Sequence, residues 1–286
     1  MHPIHSSRSW FTRPARLLVA LLVCAGARAQ PQPAAEAETS LPSTLIGRWQ
    51  VTKVLVDPKL FKPNYDQDDP RMKGRLLTIA PGRITEDLSG WVSTCTYPVV
   101  SRQRITAGEL VRSAMSDVRP GPPTAEDYQL PLASSAEVDV LWIRCKSAGD
   151  VGPSGPPGRA GFNWLLVLPD DRLAIRWYDY NTIAVLSRLP AGAVPSPSFD
   201  CAQATTKAER AICGSIDLAS FDRSVAEAYA DAVKEWKKTG GAEGLRKLQK
   251  EQRESLRARN RCGANEECLR KVMSKRLERI LAESYP

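Results

Sequence analysis

Large apolar residues alternate with polar or small ones in short runs through the first two thirds of the chain. Beyond Leu218 they recur at three- and four-residue steps. The segment Arg172 to Trp177 shows the period of two expected of a half-buried strand. Similar runs lie at Leu45 to Val56, Arg75 to Ala80, Trp91 to Tyr97, Val138 to Cys145, Asn163 to Leu168 and Asn181 to Arg188, with Pro169-Asp170-Asp171 supplying a tight turn. Seven or eight antiparallel strands of this length predict a small barrel or sandwich. Two insertions interrupt it, Pro120 to Asp127 and Ala148 to Gly161. The second contains GPSGPPG, far too short for a collagen triple helix and read as a surface loop.

The later pattern is helical. Leu218, Phe221, Val225, Ala228, Tyr229, Ala232 and Trp236 make one apolar stripe. Leu245, Leu248, Gln252, Leu256 and Arg259 continue it less hydrophobically on a return helix, after a turn around Gly240 and Gly241. A third helix follows through Leu269, Val272, Met273, Leu277, Ile280 and Leu281. Asn265 can cap it, and Glu266 and Glu267 suit its N-terminal dipole. The fold class predicted is α+β in two domains: an antiparallel β-barrel or sandwich, then a disulfide-braced three-helix module.

Composition along the chain sets the boundaries. Arg8, Arg13 and Arg16 precede an apolar run from Leu17 to Ala27, and Ala27-Arg28-Ala29 reads as a cleavage site, so residues 1–29 are predicted to be a secretory signal cut after Ala29. The run is well short of the ~20 residues that span a bilayer. Lipidation at Cys24 is the competing reading, opposed by bulky Val23 where a lipobox has a small residue. Residues 30–42 form a polar leader, 43–188 the barrel-like domain, 189–198 a Pro-rich linker and 199–286 the helical domain.

Loss of the signal leaves six of seven cysteines and removes both histidines, His2 and His5. An even cysteine number in an exported chain fits three disulfides. Cys95 and Cys145 are the only mature cysteines before the linker, so they pair by elimination. Cys201, Cys213, Cys262 and Cys268 allow three pairings. Local pairing closes the shortest loops, whereas crossed pairing would tie the helices together. A chain without histidine has no Ser-His-Asp triad, Cys-His pair or His-bound metal. No carboxylate pair stands in a recognisable motif either, so no enzyme activity and no cofactor are predicted.

Net charge falls from +8 to +4 with the signal. Residues 30–196 carry 18 basic and 18 acidic side chains and residues 197–286 carry 18 and 14, so the excess lies in the helices. Such a surface favours anionic partners. Nucleic acid is not expected among them, because the basic helices lack interleaved aromatics and the chain is exported.

Phe199-Asp200-Cys201, Ala204-Thr205-Thr206, Glu209 and Ala211-Ile212-Cys213 resemble the opening of the LprI-type lysozyme-inhibitor family of secreted bacterial proteins. Phe221-Asp222 and Tyr229 fall where that family has Leu-Asp and Tyr; Gln252, Arg259, Cys262, Cys268-Leu269 and Arg276 match its closing half. Ser255 and Met273 depart from it, standing where it has Trp and Tyr. The resemblance covers residues 198–284 and implies a secreted, non-enzymatic binding protein that acts on a lysozyme-like glycosidase or another cell-envelope partner. Polar Gln252 and Arg259 on an inner stripe are expected to hydrogen-bond helix ends. The turn carrying Lys237 and Lys238 is the candidate partner contact.

The first half has its own echo. Gly47-Arg48-Trp49 on the first strand and Arg188 on the last are similar to lipocalin-like barrels, where a Trp packs beneath an Arg. That resemblance implies the alternative function, a periplasmic small-ligand carrier with Trp49, Trp142, Trp164 and Trp177 lining a cavity or filling a core.

Overall fold

The computed structural model describes residues 40–87, 93–115, 119–145, 163–176, 181–239 and 241–284. The signal sequence, Cys24, most of the leader, Trp91, the 148–161 insertion, Trp177 and Gly240 lie outside these residues.

Among the described residues nine antiparallel strands form one sheet: β1 (Gly47–Val56), β2 (Leu76–Ala80), β3 (Arg83–Glu86), β4 (Ser93–Thr96), β5 (Val99–Thr106), β6 (Glu137–Arg144), β7 (Asn163–Leu168), β8 (Arg172–Ile175) and β9 (Thr182–Arg188). Their order is β4-β3-β2-β1-β9-β8-β7-β6-β5. The two edge strands, β4 and β5, are joined by Tyr97 and Pro98 alone, so the sheet must curl until its edges meet. One apolar cluster draws on all nine strands, from Ile84 and Cys95 to Val100 and Ile143, and fills the inside of the curl. The disulfide Cys95–Cys145 ties the β4 edge to the end of β6, with Cα atoms 5.3 Å apart. It therefore braces the side of the half-barrel where β4 and β5 come together.

The outer face of β6–β9 is buried as well. Helix α1 (Ala107–Ala114) lays Leu110, Val111 and Ala114 against Val140, Trp164, Leu166 and Val185. A reciprocal capping box between Thr106 and Glu109 starts this helix, which the strand-like reading of the region did not predict. The segment expected as an insertion at Pro120 to Asp127 also covers this face, with Ala125, Tyr128 and Leu130 buried. Arg119 pins it through ion pairs to Asp57 at 2.6 Å and Asp127 at 3.0 Å. These strands thus read as continuous apolar runs (TIAVL in β9) rather than strict alternation.

The C-terminal half holds four helices where three were expected: α2 (Lys207–Gly214), α3 (Ile216–Lys238), α4 (Ala242–Arg261) and α5 (Glu266–Ser284). The extra helix is the short α2, held by the disulfide Cys201–Cys213. The α3 stripe buries Leu218, Phe221, Val225, Ala228 and Ala232 against Leu269, Met273, Leu277 and Ile280 of α5. Gly241 and Gly244 let the return turn fold over Trp236; a Cβ at Gly241 would lie 2.3 Å from its ring.

Sheet and helices are not tethered by a free linker. Ser198 donates its N–H and hydroxyl to Asp222 at 2.8 and 2.5 Å, and Arg223 donates to the Ser196 carbonyl, which straps residues 196–198 onto α3. The halves also share a buried joint, and their described residues belong to one compact unit. At its centre Arg75, fully buried, lays its guanidinium 3.3 Å from the Phe221 ring centroid and donates to Ser220 and Ser224 at 3.2 and 3.0 Å. Gly74, at φ +82°, brings its carbonyl within 2.8 Å of the Ser220 hydroxyl, so no side chain fits there.

Two carboxyls close the joint. Burial, then a shared hydrogen bond with Asp217, pushes the Asp87 carboxyl well above the ordinary value, and it accepts the Leu76 N–H. Burial also opposes ionisation of Asp217, but the hydrogen bond from Asp87 and the charges of Arg270 and Arg75 outweigh it and hold its pKa down. Arg270 donates to Asp217 from both Nε and an Nη. Desolvation lowers the pKa of Arg75 to about 10.

Candidate functional site

The helical half is built from caps inward. Asp200 caps the short 3-10 turn Cys201–Gln203 by accepting the Ala202 N–H at 2.9 Å. Thr206 and Glu209 form a second capping box at the start of α2. The Thr206 backbone N–H, followed in weight by that of Thr205, lowers the pKa of Glu209 despite some desolvation. Disulfides Cys201–Cys213 and Cys262–Cys268 close loops of separation 12 and 6, the local pairing of the alternatives open in the sequence. The second encloses the α4–α5 turn, and Asn265 accepts the Cys268 N–H at 2.9 Å as the start of α5.

Two buried arginines then lock the helices. Arg259 ion-pairs with Asp222 at 3.2 Å and Glu209 at 3.4 Å, joining α4 to α3 and α2. Arg276 of α5 donates to Gln252 at 3.0 Å, Glu251 at 2.9 Å and the Leu248 carbonyl at 3.2 Å, joining α5 to α4. Tyr229 packs against the apolar cluster. Of the residues that carry the resemblance, Asp200, Thr206, Glu209, Asp222, Gln252, Arg259 and Arg276 therefore work as caps and internal ion pairs, because a buried charge needs a partner. Four of them, Glu209, Asp222, Gln252 and Arg259, also line an open cleft.

Among the described residues of the helical half, three open places stand out. Lys237 and Lys238 end α3 at the pole opposite the disulfides, where positive charge suits the helix dipole; Lys238 reaches only Glu235, at 3.7 Å. Next to Arg259 a cleft of about 300 Å³ is walled by Phe199, Val225, Leu256 and Met273, with Ser255 at its side. On the other side of Ser255, between α4 and α5, lies a groove of about 350 Å³ rimmed by Arg261, Lys275 and Arg279. Ser255 and Met273, the two departures from the resemblance, both border the cleft. Small or unbranched side chains there leave space that an aromatic pair would occupy.

The half-barrel offers a different arrangement. Arg188 stacks 4.0 Å above the Trp49 ring, pairs with Asp171 at 2.6 Å and donates to the Ile46 and Thr44 carbonyls at 2.9 and 2.7 Å. The Trp49 indole N–H donates to the Leu45 carbonyl at 3.0 Å. The expected Trp–Arg closure is thus present at one end of the curl. Of the described tryptophans, Trp49 packs in the inner core, while Trp142 and Trp164 lie opposite one another on β6 and β7 and face the α1 side. The inner cluster is packed with side chains, among them Leu77, Ile79, Leu141 and Leu186.

No family model, curated protein or solved structure matches this chain. Among the described residues, no group of three His, Cys, Asp or Glu side chains could hold a metal ion, and no helix is long and apolar enough to cross a membrane. The three disulfides suit an oxidising compartment.

Proposed function

We propose that this chain is an exported, non-enzymatic binding protein whose helical half engages a lysozyme-like glycosidase or another cell-envelope protein, with the half-barrel as its rigid base. The observation that carries the reading is the use of the polar motif residues. They brace one rigid shape, through Arg259, Arg276 and two disulfides, as a binding scaffold requires. Glycosidases of this class work through a pair of carboxylates in a cleft. The exposed Lys237 and Lys238, on a turn fixed by Trp236 against Gly241 and Gly244, are suited to meet such a pair.

The small-ligand reading keeps the Trp49–Arg188 closure in its favour, but Trp49 and its neighbours occupy the interior that a ligand would need.

The experiment uses the mature, oxidised chain as immobilised bait against a panel of lysozymes and periplasmic extract. Salt-sensitive retention of a glycosidase supports the proposal. Failure to retain any lysozyme or envelope protein, with saturable quenching of tryptophan fluorescence by a small apolar ligand, would replace it with the carrier reading.

A further inference from the structure

Where two antiparallel helices pack, their facing stripes are normally apolar and close the seam between them. Helix α4 buries only Leu248 and Arg259, and its stripe toward α5 runs through Ser255 and Ala258 to Arg261. The short Ser255 side chain leaves the seam open as a groove of about 350 Å³ with Val272 on the opposite wall.

The charges on this groove do not cancel. Arg276 is satisfied by Glu251 at 2.9 Å. Arg261, Lys275 and Arg279 have no acidic group within ion-pair distance among the described residues, and Glu254 is the one further carboxylate on the lining. Elsewhere in the helical half the inward cations Arg259 and Arg270 are both paired. Four cations against two carboxylates leave the lining with a net excess of two positive charges and a locally positive potential. Lys275 and Arg279 stand one turn apart, roughly 6 Å along the axis, so a ligand with two anionic centres can meet both. The Arg guanidinium forks suit phosphate oxygens in particular.

We propose that the α4–α5 groove is a binding site for a phosphate-bearing group with at least two negative charges. Its oxygens lie on Lys275 and Arg279, with Arg261 adding positive charge toward the other end of the groove; its donor from α4 is Ser255, and its apolar portion rests on Val272 and Ala258. The site is separate from the glycosidase contact proposed at Lys237 and Lys238, and does not depend on it.

Pyrophosphate titrated into the intact oxidised chain by calorimetry is expected to bind saturably with one site, more weakly as salt rises. The triple variant R261Q/K275Q/R279Q lowers the affinity at least tenfold. K53Q/K62Q/R83Q, which removes the same charge from the sheet half, changes it less than twofold. Ser255→Trp, which fills the groove without altering charge, also weakens binding at least tenfold, and circular dichroism checks that each variant is folded. If the triple variant does not fold, Arg279→Gln alone is read against the parent for a threefold or greater loss. Absence of saturable binding, parental affinity in the groove variants, or equal loss in the sheet variant overturns the proposal. Sedimentation with phosphatidylglycerol vesicles identifies the source. Vesicle binding displaced by pyrophosphate assigns the group to a lipid headgroup, pyrophosphate binding without vesicle binding assigns it to a soluble phosphate, and vesicle binding that pyrophosphate does not displace contradicts the site.

Discussion

Arg75, immediately before β2, lies over the Phe221 ring of α3 at 3.3 Å and donates to Ser220 and Ser224 of the same helix. A charged side chain from the sheet is in this way enclosed by the helical half. Each half completes the other's core, so intact protein rather than either half is the object on which function should be tested.

Arg75→Ala is expected to cost about 3 kcal/mol or more, because it opens a cavity, strips Ser220 and Ser224 of their buried donor and removes one of the two cations beside the Asp87–Asp217 pair. Arg75→Met keeps the volume against Phe221 and removes a costly buried charge, so it should cost less than Arg75→Ala. Urea unfolding of the two variants checks the order; equal losses would contradict the role of packing against Phe221.

The Asp87 carboxyl gives a pH signature. Its folded-state pKa is raised by burial and by Asp217. Its contribution to stability is therefore complete below the unfolded value of about 3.9 and is lost as pH rises through the folded value. Asp87→Asn keeps a group that can accept from Leu76 and donate to Asp217 without that loss. The variant should match the parent near pH 4 and become the more stable of the two as pH rises. A stability difference that stays constant with pH would mean that Asp87 holds no proton in the fold.

At the far end of the curl, Arg188→Ala should destabilise by about 2 to 3 kcal/mol. It removes the stack on Trp49, the Asp171 pair and two carbonyl contacts together. A red shift in tryptophan emission before global unfolding would report solvent reaching Trp49. Unchanged stability would show that the stack is incidental.

Replacing Cys95 and Cys145 together by Ser should cost about 4 kcal/mol, the entropy of a loop of separation 50 in the unfolded chain. The loss should appear as a lower denaturant midpoint with the helical disulfides intact by mass spectrometry. A midpoint equal to the parent's would mean that the edge strands are held without the bridge.

Legibility in the sequence followed the locality of the signal. The α3 stripe from Leu218 to Trp236 and the alternation around Leu173 and Ile175 are local, and both emerged with little change. Strand β5 was missed because Arg102-Gln103-Arg104 makes its middle polar, as suits a sheet edge. Helix α1 was missed because eight residues between strands carry little periodicity, although the Thr106 and Glu109 box marks its start. Arg75 looks like an ordinary surface charge at a strand end, and no pattern within reach announces partners 145 and 149 residues later. For the site, the inner-stripe spacing pointed to hydrogen-bonded Gln252 and Arg259, and the structure pairs them with Arg276 and with Asp222 and Glu209. The cleft and groove on either side of Ser255 depend on helix packing and could not be read from one chain's spacing.

The proposed engagement of a lysozyme-like glycosidase by the helical half is tested most directly by turbidimetric lysis of cell walls by a lysozyme in the presence of the oxidised chain lacking residues 1–29. The account predicts saturable slowing of lysis that disappears on reduction and weakens in K237E/K238E, while that variant keeps the parental unfolding midpoint. Full lysozyme activity at every concentration of folded, disulfide-intact protein, across the panel, would contradict it.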